Sequence, residues 1–352
     1  METLATKDES MKKVAVVILN YNGKKFLEQF LPTVLGHTNA ELADVVVADN
    51  ASTDDSVAFM QEHFPNIRLI VNEFNGGFAT GYNLALRQIE AQYFVLLNSD
   101  IEVTPHWIEP VVELMDAHPE IAACQPKILS YVEKDKFEYA GASGGFIDRY
   151  GYPFCRGRLF QTLEEDHGQY DDAMEVFWAT GACMFVRSDL YLQKGGLDDS
   201  FFAHMEEIDF CWRMKSLGYK IYCCPQSKVY HIGGGTLPKN SARKTYLNFR
   251  NNLSLLYKNL PDSHVFWTLA YRILLDWVAA FKFLLGGGFS DFWAVIRAHF
   301  AFYQRIPSLR QVRRQLPHGA VGQMYQRNIV FEHYLKGRSH YYELDLEKFS
   351  HS

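Results

Sequence analysis

Four short runs of mostly apolar, β-branched residues occur in the first hundred positions of the chain. They cover residues 14–19, 45–48, 67–71 and 93–97, and the first, second and fourth lead directly into Asn20, Asp49 and Asn98. Runs of this length, apolar at nearly every position, are typical of strands buried on both faces of a parallel sheet. The pattern therefore predicts four parallel strands.

Apolar residues at helical spacing fill the intervals between these runs. Residues 24–35, 54–63 and 81–90 repeat apolar positions every three or four residues, and Ser52 and Thr53 precede the second segment as candidate caps. Strands that alternate with helices form a parallel sheet with right-handed crossovers. We therefore expect an α/β fold with a mainly parallel central sheet.

Polar residues follow three of the predicted strands at their carboxyl ends. Asn20 follows the first strand, Asp49 and Ser52 the second, and Asn98 and Asp100 the fourth. Each one alone is better explained as an ordinary turn or cap. Ligands of open α/β sheets bind at this edge, so three polar turns together favour a nucleotide site. The chain has neither a GxGxxG fingerprint nor a P-loop, which makes Mg²⁺ or Mn²⁺ on Asp100 the expected phosphate holder.

The composition is that of a folded globular protein without a basic field for nucleic acid. Of 352 residues, 48% are hydrophobic and 22% are charged, and the net charge is −6. Residues 1–13 contain no apolar stretch, so we expect a flexible N-terminus and no signal peptide. Six cysteines without CxxC spacing are expected to stay reduced, as in the cytoplasm.

Three acidic residues stand together at the predicted start of a helix. They are Glu206, Glu207 and Asp209, and two phenylalanines come shortly before them. Neighbouring carboxylates raise each other's pKa, which moves one towards the basicity of a general base. Acids in a first helical turn also stabilise the helix dipole, and that alone would explain them. Asp209 and Arg213 are spaced i,i+4, so a simple ion pair remains an open alternative.

The last ninety residues differ in composition from the rest. Residues 265–285 are strongly apolar except for one narrow stripe at helical spacing, formed by Thr268, Arg272, Asp276, Ala279 and Lys282. The charges argue against a transmembrane helix and leave two alternatives, an interfacial helix or one packed on the preceding domain. Residues 292–331 contain six arginines and no acid. An anionic membrane surface and a packed hairpin explain this asymmetry equally well.

Six segments follow one another along residues 14–260. They read VVILNYNG, VVVADNASTDDS, NEFNGGFATGYN, VLLNSDIEV, FWATGACMFVRSDLYLQKGGLDDSFFAHMEEIDFCWRMKSLGY and KVYHIGGGT. Together they resemble the family-2 glycosyltransferases, especially the rhamnosyltransferase-like branch of bacterial envelope-polysaccharide enzymes. The resemblance implies a GT-A fold, a nucleotide-diphospho-sugar donor and inversion at the anomeric carbon.

The resemblance also implies where the donor binds. It places Asp49 against the base or ribose, in the polar edge that includes Asn20 and Ser52. It places the segment that contains Gly77 and Asn83 near the donor. The alternative is that this segment is a plain glycine-rich loop before a helix.

The donor's diphosphate and the metal are implied to lie at a second group of residues. The turn from Asn98 to Asp100 stands where the family carries a metal-binding D-x-D or N-x-D motif. His231 stands where a family histidine completes the metal or diphosphate site, although most histidines at strand ends are structural. Arg250 would contact the diphosphate through a charge-assisted bond, or else pair on the surface.

The family's acidic pair implies that Glu207 is the catalytic base, with Glu206 as the runner-up. Trp178, Gly181 and Asp209 are implied to lie on the acceptor side. Residues 146–172 show little periodicity, so we expect a long loop across the cleft. Arg156 and Arg158 in that loop would meet an anionic acceptor or simply solvent.

These expectations define three regions and one main function. Residues 1–13 are a flexible N-terminus, 14–260 a GT-A catalytic domain, and 261–352 a helical, membrane-associating extension. The predicted function is an inverting hexosyltransferase of cell-envelope polysaccharide synthesis, cytoplasmic and peripheral on the inner face of the plasma membrane. It would join a sugar from a UDP-, dTDP- or GDP-linked donor to a glycan or lipid-linked acceptor. A sugar-phosphate nucleotidyltransferase and a non-catalytic carbohydrate-binding protein are the alternatives.

Overall fold

A nine-stranded sheet lies at the centre of the computed structural model, which describes residues 12–233 and 241–351. The strands, numbered along the chain, are β1 (Val14–Asn20), β2 (Ala43–Asp49), β3 (Arg68–Val71), β4 (Tyr93–Asn98), β5 (Ile101–Val103), β6 (Ile121–Ser130), β7 (Gly145–Asp148), β8 (Pro153–Cys155), β9 (Arg158–Leu159), β10 (Thr162–Leu163), β11 (Met174–Val176), β12 (Cys183–Arg187), β13 (Lys220–His231) and β14 (Met324–Tyr325). The helices are α1 (Lys24–His37), α2 (Ser56–His63), α3 (Gly77–Leu86), α4 (Glu109–Ala117), α5 (Ser188–Gln193), α6 (Glu206–Ser216), α7 (Ala242–Asn259), α8 (Asp262–Leu285), α9 (Phe289–Arg313) and α10 (Ile329–Tyr334). Two predicted features lie partly outside the described residues. These are the flexible N-terminus, at residues 1–11, and the glycine loop, at residues 234–240.

The central sheet has the strand order β11-β13-β6-β12-β4-β1-β2-β3, with β5 paired to β13. β1 to β4 are the four predicted strands, and they run parallel to one another as expected. Beyond β4 the pairing is mixed, because β12 runs antiparallel to both β4 and β6. The prediction of a mainly parallel sheet is therefore confirmed for one half of it. That half is apolar at most positions because both of its faces are covered: Val16 and Val17, neighbours in β1, enter different cores.

The first three helices lie where apolar spacing predicted them, with different starting points. α1 and α2 match the predicted segments closely. α3 begins at Gly77, four residues before the predicted start, because the Asn75 side chain accepts a hydrogen bond from the Gly77 amide at 2.9 Å. The N-terminus of α3 therefore lies at the carboxyl edge of the sheet.

A second sheet occupies the segment for which we expected a long loop. β7 to β10 lie within residues 145–163, and β14 from the C-terminal region pairs with β7. Their strands are two to four residues long, too short to show a period of two. Packed aromatic rings hold the sheet together, namely Phe146, Phe154, Tyr325 and Phe349. The region after residue 260 differs in composition, but it packs against the preceding residues through β14.

The two arginines expected in that loop are buried rather than facing an acceptor or solvent. Arg156 donates to Asp172 at 3.1 Å, and Arg158 donates to the carbonyl oxygen of Phe160 at 3.3 Å. Burial of an arginine requires such partners, because the cation loses its water shell. Both predictions for these side chains are therefore wrong.

Helix α8 buries Thr268, Arg272 and Asp276 of its polar stripe, leaves Lys282 exposed, and turns an apolar face outwards. The buried Asp276 accepts hydrogen bonds from Arg272 at 2.7 Å and lies 3.2 Å from His299 of α9. The outward residues are large and exposed, namely Phe266, Trp267, Leu274, Val278, Phe281 and Leu285. The helix therefore packs on the domain and also presents an apolar surface. Within the described ranges, no helix combines the length and hydropathy that crossing a membrane requires.

Candidate active site

The polar ends of β1 and β2 meet at the carboxyl edge of the sheet, as the sequence predicted. Asn20 is paired in register with Asp49, and its amide donates to that carboxylate at 2.9 Å. The Ser52 amide donates to the other oxygen of Asp49 at 2.8 Å. These bonds hold Asp49 as an acceptor beside the crevice between β1 and β4, where the strand order reverses. Contact of Asn20, Asp49 and Ser52 with a nucleotide stays a prediction.

The proposed metal ligands also come together, although they are 131 residues apart. The chain turns after β4 and enters β5, which pairs Ile101 with His231 at the end of β13. The turn places the Asp100 Oδ1 atom 3.2 Å from His231 Nε2, and the Asn98 amide nitrogen lies 3.5 Å from the same ring nitrogen. Both Asp100 and His231 are buried.

Glu138 is a member of this group that sequence reasoning missed. Its carboxylate lies 3.3 Å from Nδ1 of His231, on the side of the ring away from Asp100. Burial lowers the pKa of His231, but Glu138 and Asp100 outweigh it and raise the pKa to about 10. Glu138 follows β6 in an irregular segment without a motif, so no signal in the sequence marks it.

The donor set fits a divalent cation that is held largely by its substrate. Among residues 12–233 and 241–351, no group of three His, Cys, Asp or Glu side chains has the arrangement of a complete metal site. Mg²⁺ and Mn²⁺ need only one or two protein ligands when phosphate oxygens supply the others. The carboxylate of Glu138 behind the imidazole is the usual second partner of a metal-binding histidine. Asp100 and His231 therefore suit a metal that binds together with a diphosphate.

Gly77 lies against the loop that leads into α6. The Phe78 amide donates to the carbonyl oxygen of Phe202 at 2.7 Å, and a Cβ atom on Gly77 would lie 2.3 Å from that oxygen. Gly77 also has a φ of +85°, which other residues rarely adopt. The glycine thus allows the start of α3 to touch the loop before the acidic cluster.

We expect Gly77→Ala to lower the free energy of unfolding by about 1–3 kcal/mol, because the new methyl group meets Phe202 and the backbone is strained. Gly36→Ala is the matched control, since nothing lies within 4 Å of a Cβ at that helical position. The control should be neutral or stabilising by up to about 1 kcal/mol. Chemical denaturation of both variants measures this, and equal stabilities would contradict the close contact.

Asn83 has no hydrogen-bonding position left for a ligand. Its amide nitrogen donates to Leu197 and Asp199 at 2.7 and 2.8 Å. Its oxygen accepts from Tyr191 and from the Leu197 amide at 2.8 and 3.2 Å. Direct contact with a donor is therefore contradicted, and Asn83 instead ties α3 to the loop at residues 197–199.

The two candidate bases differ in their access to the cleft. Glu206 is only 4% exposed, and burial together with Glu207 raises its pKa well above the usual range. Glu207 is partly exposed, and burial raises its pKa to about 7. A Cβ on Gly181 would lie 3.9 Å from the Glu207 side chain, and Gly181 directly precedes Ala182, which accepts a hydrogen bond from the Asn98 amide at 2.9 Å. Glu207 is thus linked through Gly181 and Ala182 to the turn that carries Asp100.

For Asp209 and Trp178, the surroundings contradict the predicted contact with the acceptor. Asp209 is fully buried, and it accepts hydrogen bonds from Arg213, Lys258 and Asn259 at 3.0, 2.9 and 2.9 Å. The i,i+4 ion pair with Arg213 is thereby confirmed. Trp178 is buried against Gly145 and donates to the carbonyl oxygen of Phe146 at 2.8 Å, so it belongs to the core. Gly181 remains a candidate beside Glu207.

Arg250 supports the loop before α6 and also borders a cavity. Its guanidinium donates to the carbonyl oxygen of Phe201 at 2.8 Å, and the amide of Asn251 donates to three carbonyl oxygens of the same loop. The cavity, of about 660 Å³, lies between this loop, α7 and α9. Contact of Arg250 with the donor's diphosphate stays a prediction.

A family model and several known proteins are similar to this chain in sequence. The model of the family described as glycosyl transferase family 2 matches residues 15–186. An N-acetylglucosaminyl-diphospho-decaprenol L-rhamnosyltransferase of Mycobacterium tuberculosis is 24% identical over 318 residues, which cover 85% of this chain and 95% of that protein.

Solved structures show the same fold at low sequence identity. S. aureus TarS in complex with UDP-GlcNAc superposes with a TM-score of 0.55 at 16% identity, covering 85% of this chain and 83% of that one. GalNAc-T7 with UDP, GalNAc and Mn²⁺ gives a TM-score of 0.55 at 16% identity, covering 72% of this chain and about half, 49%, of that one. The fold is GT-A, with C-terminal helices added. The chain is a glycosyltransferase, and residues 15–186 match the model of glycosyl transferase family 2.

Proposed function

We propose that the protein transfers a hexose, with inversion, from a nucleotide-diphospho-sugar to a glycan or lipid-linked acceptor of cell-envelope polysaccharide. The observation that supports this proposal is the link through Gly181, which lies beside Glu207. The next residue, Ala182, is hydrogen-bonded to Asn98, in the turn that holds Asp100 near His231. The name of the M. tuberculosis relative supports rhamnose as the sugar and a lipid diphosphate as the carrier of the acceptor.

The donor's diphosphate is proposed to lie at the carboxyl end of β4. Asp100 and His231 would hold Mg²⁺ or Mn²⁺ there, and the metal would neutralise charge on the departing nucleoside diphosphate. The Mn²⁺ bound by GalNAc-T7 supports this choice of cofactor. Asn20, Asp49 and Ser52 at the neighbouring strand ends would orient the nucleoside.

Glu207 is proposed as the general base. It would accept the proton of an acceptor hydroxyl while that oxygen bonds to the anomeric carbon. The bond from the anomeric carbon to the diphosphate breaks at the opposite face, so configuration is inverted. A pKa of about 7 suits this role, because a substantial fraction of the carboxyl is then ionised at neutral pH.

The exposed face of α8 is proposed to lie on the cytoplasmic leaflet of an anionic membrane. The chain also exposes two arginines at the end of α9 and in the turn after it, namely Arg310 and Arg314. Arg313 does not belong to this surface, because it is buried and pairs with Asp262. Apolar side chains next to basic ones are the usual composition of a peripheral membrane surface.

We expect the double variant Trp267→Ser/Leu285→Ser to bind vesicles of phosphatidylglycerol and phosphatidylethanolamine at least about tenfold more weakly. The two side chains are 75% and 89% exposed, and each contributes about 1.5–3 kcal/mol when fully buried. Val132→Ser, also at an exposed site, is the control and should bind like the wild type. Vesicle sedimentation measures the difference, and unchanged binding of the double variant would exclude this surface.

The first test of the function is thermal stability of the purified protein with UDP, dTDP, GDP and their sugars. Each is added with Mg²⁺, Mn²⁺ or EDTA. A ligand that binds only the native state raises its melting temperature, so we expect a metal-dependent rise with one nucleotide. No rise with any nucleotide in a folded protein would favour a non-catalytic carbohydrate-binding role. Release of pyrophosphate from a nucleoside triphosphate and a sugar phosphate would indicate a nucleotidyltransferase.

A further inference from the structure

The 660 Å³ cavity beside the acidic loop is strongly basic. Its walls come from the loop at residues 199–202, from α7 and from α9. Four of the lining residues are arginines and one, Asp199, is acidic; the arginines are Arg243, Arg250, Arg297 and Arg305. Asp199 accepts hydrogen bonds from Thr80 and Asn83, so part of its capacity is already used. The cavity therefore has an excess of positive charge.

The four guanidinium groups are held by carbonyl oxygens and aromatic rings instead of by acids. Arg305 donates to the carbonyl oxygen of Ser200 at 2.9 Å, and Arg250 and Arg297 each lie 5.3 Å from the ring centre of Tyr246. Over the described parts of the chain, none of the four forms an ion pair with a carboxylate. Of the four, Arg250 is buried, Arg305 is half-buried, and Arg243 and Arg297 are exposed. Four buried arginines elsewhere in the described chain do have an aspartate partner, namely Arg156, Arg213, Arg272 and Arg313.

Clustered cations without counter-ions repel one another. Burial lowers the pKa of Arg305, and the positive charge of the neighbouring Arg250 lowers it further. A diphosphate offers several oxygens and two negative charges or more, and arginine binds such groups through paired hydrogen bonds. Binding of a diphosphate would therefore relieve a cost that the protein carries in its absence.

The cavity lies beside the loop that leads to the candidate base. It shares Phe202 with that loop, which continues to Glu206 and Glu207 and also touches the start of α3. Neither Asp100 nor His231 lines it. A diphosphate in the cavity would thus be separate from the one expected at the metal pair, and Arg250 would contact it instead of the donor's diphosphate.

An apolar stripe runs beside the cavity on the same helix. Ser290, Ala294 and Arg297 of α9 line the cavity. The adjacent stripe of that helix carries Phe289, Trp293 and Phe300, which are 64%, 50% and 65% exposed. A hydrocarbon chain attached to a bound diphosphate would leave the cavity directly onto this stripe, which is continuous with the exposed apolar face of α8.

We propose that this cavity binds the diphosphate of a lipid-linked sugar acceptor, with the lipid chain lying along the aromatic stripe of α9. The proposal rests on the proposed function, because it names the site for that reaction's acceptor. It places the sugar of the acceptor next to Glu207 and leaves the metal pair for the donor.

Farnesyl diphosphate, below its micelle concentration, serves as a probe with a lipid chain and a diphosphate but no sugar. Binding to the full chain is measured by calorimetry in EDTA, where a metal-dependent donor site does not hold a diphosphate. We expect binding to the wild type and at least tenfold weaker binding to Arg297→Gln/Arg305→Gln. The matched control, Arg68→Gln/Arg87→Gln, removes the same charge from exposed positions outside the cavity and outside the proposed membrane surface, and should bind like the wild type.

Two further ligands distinguish a lipid-linked diphosphate from a free pyrophosphate and from the diphosphate of a nucleotide. Inorganic pyrophosphate should bind at least tenfold more weakly than farnesyl diphosphate, and equal affinities would refute the role of the lipid chain. The nucleotide found by the thermal panel, added with Mn²⁺, should bind the Arg297→Gln/Arg305→Gln protein normally. Parallel loss of nucleotide and farnesyl diphosphate binding would assign the cavity to the donor and overturn the proposal. Absence of nucleotide binding to the wild type would instead refute the proposed function.

Discussion

Replacing Glu207 with glutamine should lower kcat for sugar transfer by about 10²–10⁴-fold, which is the usual contribution of a general base. Glutamine keeps the size of the side chain but has no lone pair basic enough to take the proton of the acceptor hydroxyl. The donor should still bind, because the change leaves Asp100 and His231, the proposed metal ligands, unaltered. The measurement is kcat with the donor identified by the nucleotide panel, beside the nucleotide's effect on melting temperature.

The pH dependence of the wild type gives a second expectation for the same residue. The base must be ionised, so kcat should rise with pH up to about 7, where Glu207 loses its proton, and level off above that value. Glu206 and Asp209 are the nearby acids, and both are buried, the latter paired with Arg213 and Lys258. Below pH 7, kcat should fall about tenfold per pH unit.

Two controls separate catalysis from disturbance of the fold. Glu28→Gln changes an exposed glutamate of α1 and should retain full activity. Glu206→Gln should retain at least about a tenth of the activity, because a buried carboxyl away from the cleft is not the base. Full activity of the Glu207→Gln protein, or a greater loss in Glu206→Gln, would move the role of base to another group.

Replacing Asp100 with asparagine should abolish the metal-dependent rise in melting temperature with nucleotide and lower kcat/KM at least about a hundredfold. The metal stabilises the leaving diphosphate by several kcal/mol, and each 1.36 kcal/mol corresponds to a factor of ten. Asparagine keeps one oxygen ligand but loses the charge that draws the cation to the end of β4. Calorimetric titration with Mn²⁺ and the nucleotide, followed by kinetics, measures both losses.

Asp44→Asn is the matched control for this variant. It removes the same charge at the opposite end of β2, where the side chain is exposed, and it should leave metal and nucleotide binding unchanged. Glu138→Gln should give an intermediate loss of about 10–100-fold, because this carboxylate orients His231 without reaching the metal. Unaltered Mn²⁺ dependence in Asp100→Asn would show that the metal binds elsewhere.

The parallel half of the sheet and the position of its polar edge followed from the sequence with little ambiguity. Residues at strand ends in a parallel sheet share one edge whatever the details of packing, so Asn20, Asp49 and Asn98 had to converge. The acidic group at Glu206 and Glu207 was also found, because its members are neighbours in the chain. In each case the signal is local, or it follows from the topology of alternating strands and helices.

Other site features depended on contacts between distant segments. Asn83 was predicted to contact the donor and Asp209 the acceptor. The hydrogen-bonding groups of both side chains are instead occupied by partners from elsewhere in the chain. Glu138 was missed because only the pairing of β13 with β6 and β5 brings it to His231. The second sheet was missed because strands of two to four residues are too short to carry a period.

The class of fold, the edge of the sheet that carries the site and the kinds of side chain at that edge follow from the amino-acid sequence alone. Local spacing and strand order encode those properties, and they do not require knowledge of packing. Which polar groups can meet a substrate, and which are paired inside the protein, depends on contacts between distant segments. The same is true of the burial of Arg272 and Asp276 on α8 and of the four arginines that α7 and α9 bring to one cavity. Burial and pairing are properties of several segments at once, and no single segment specifies them.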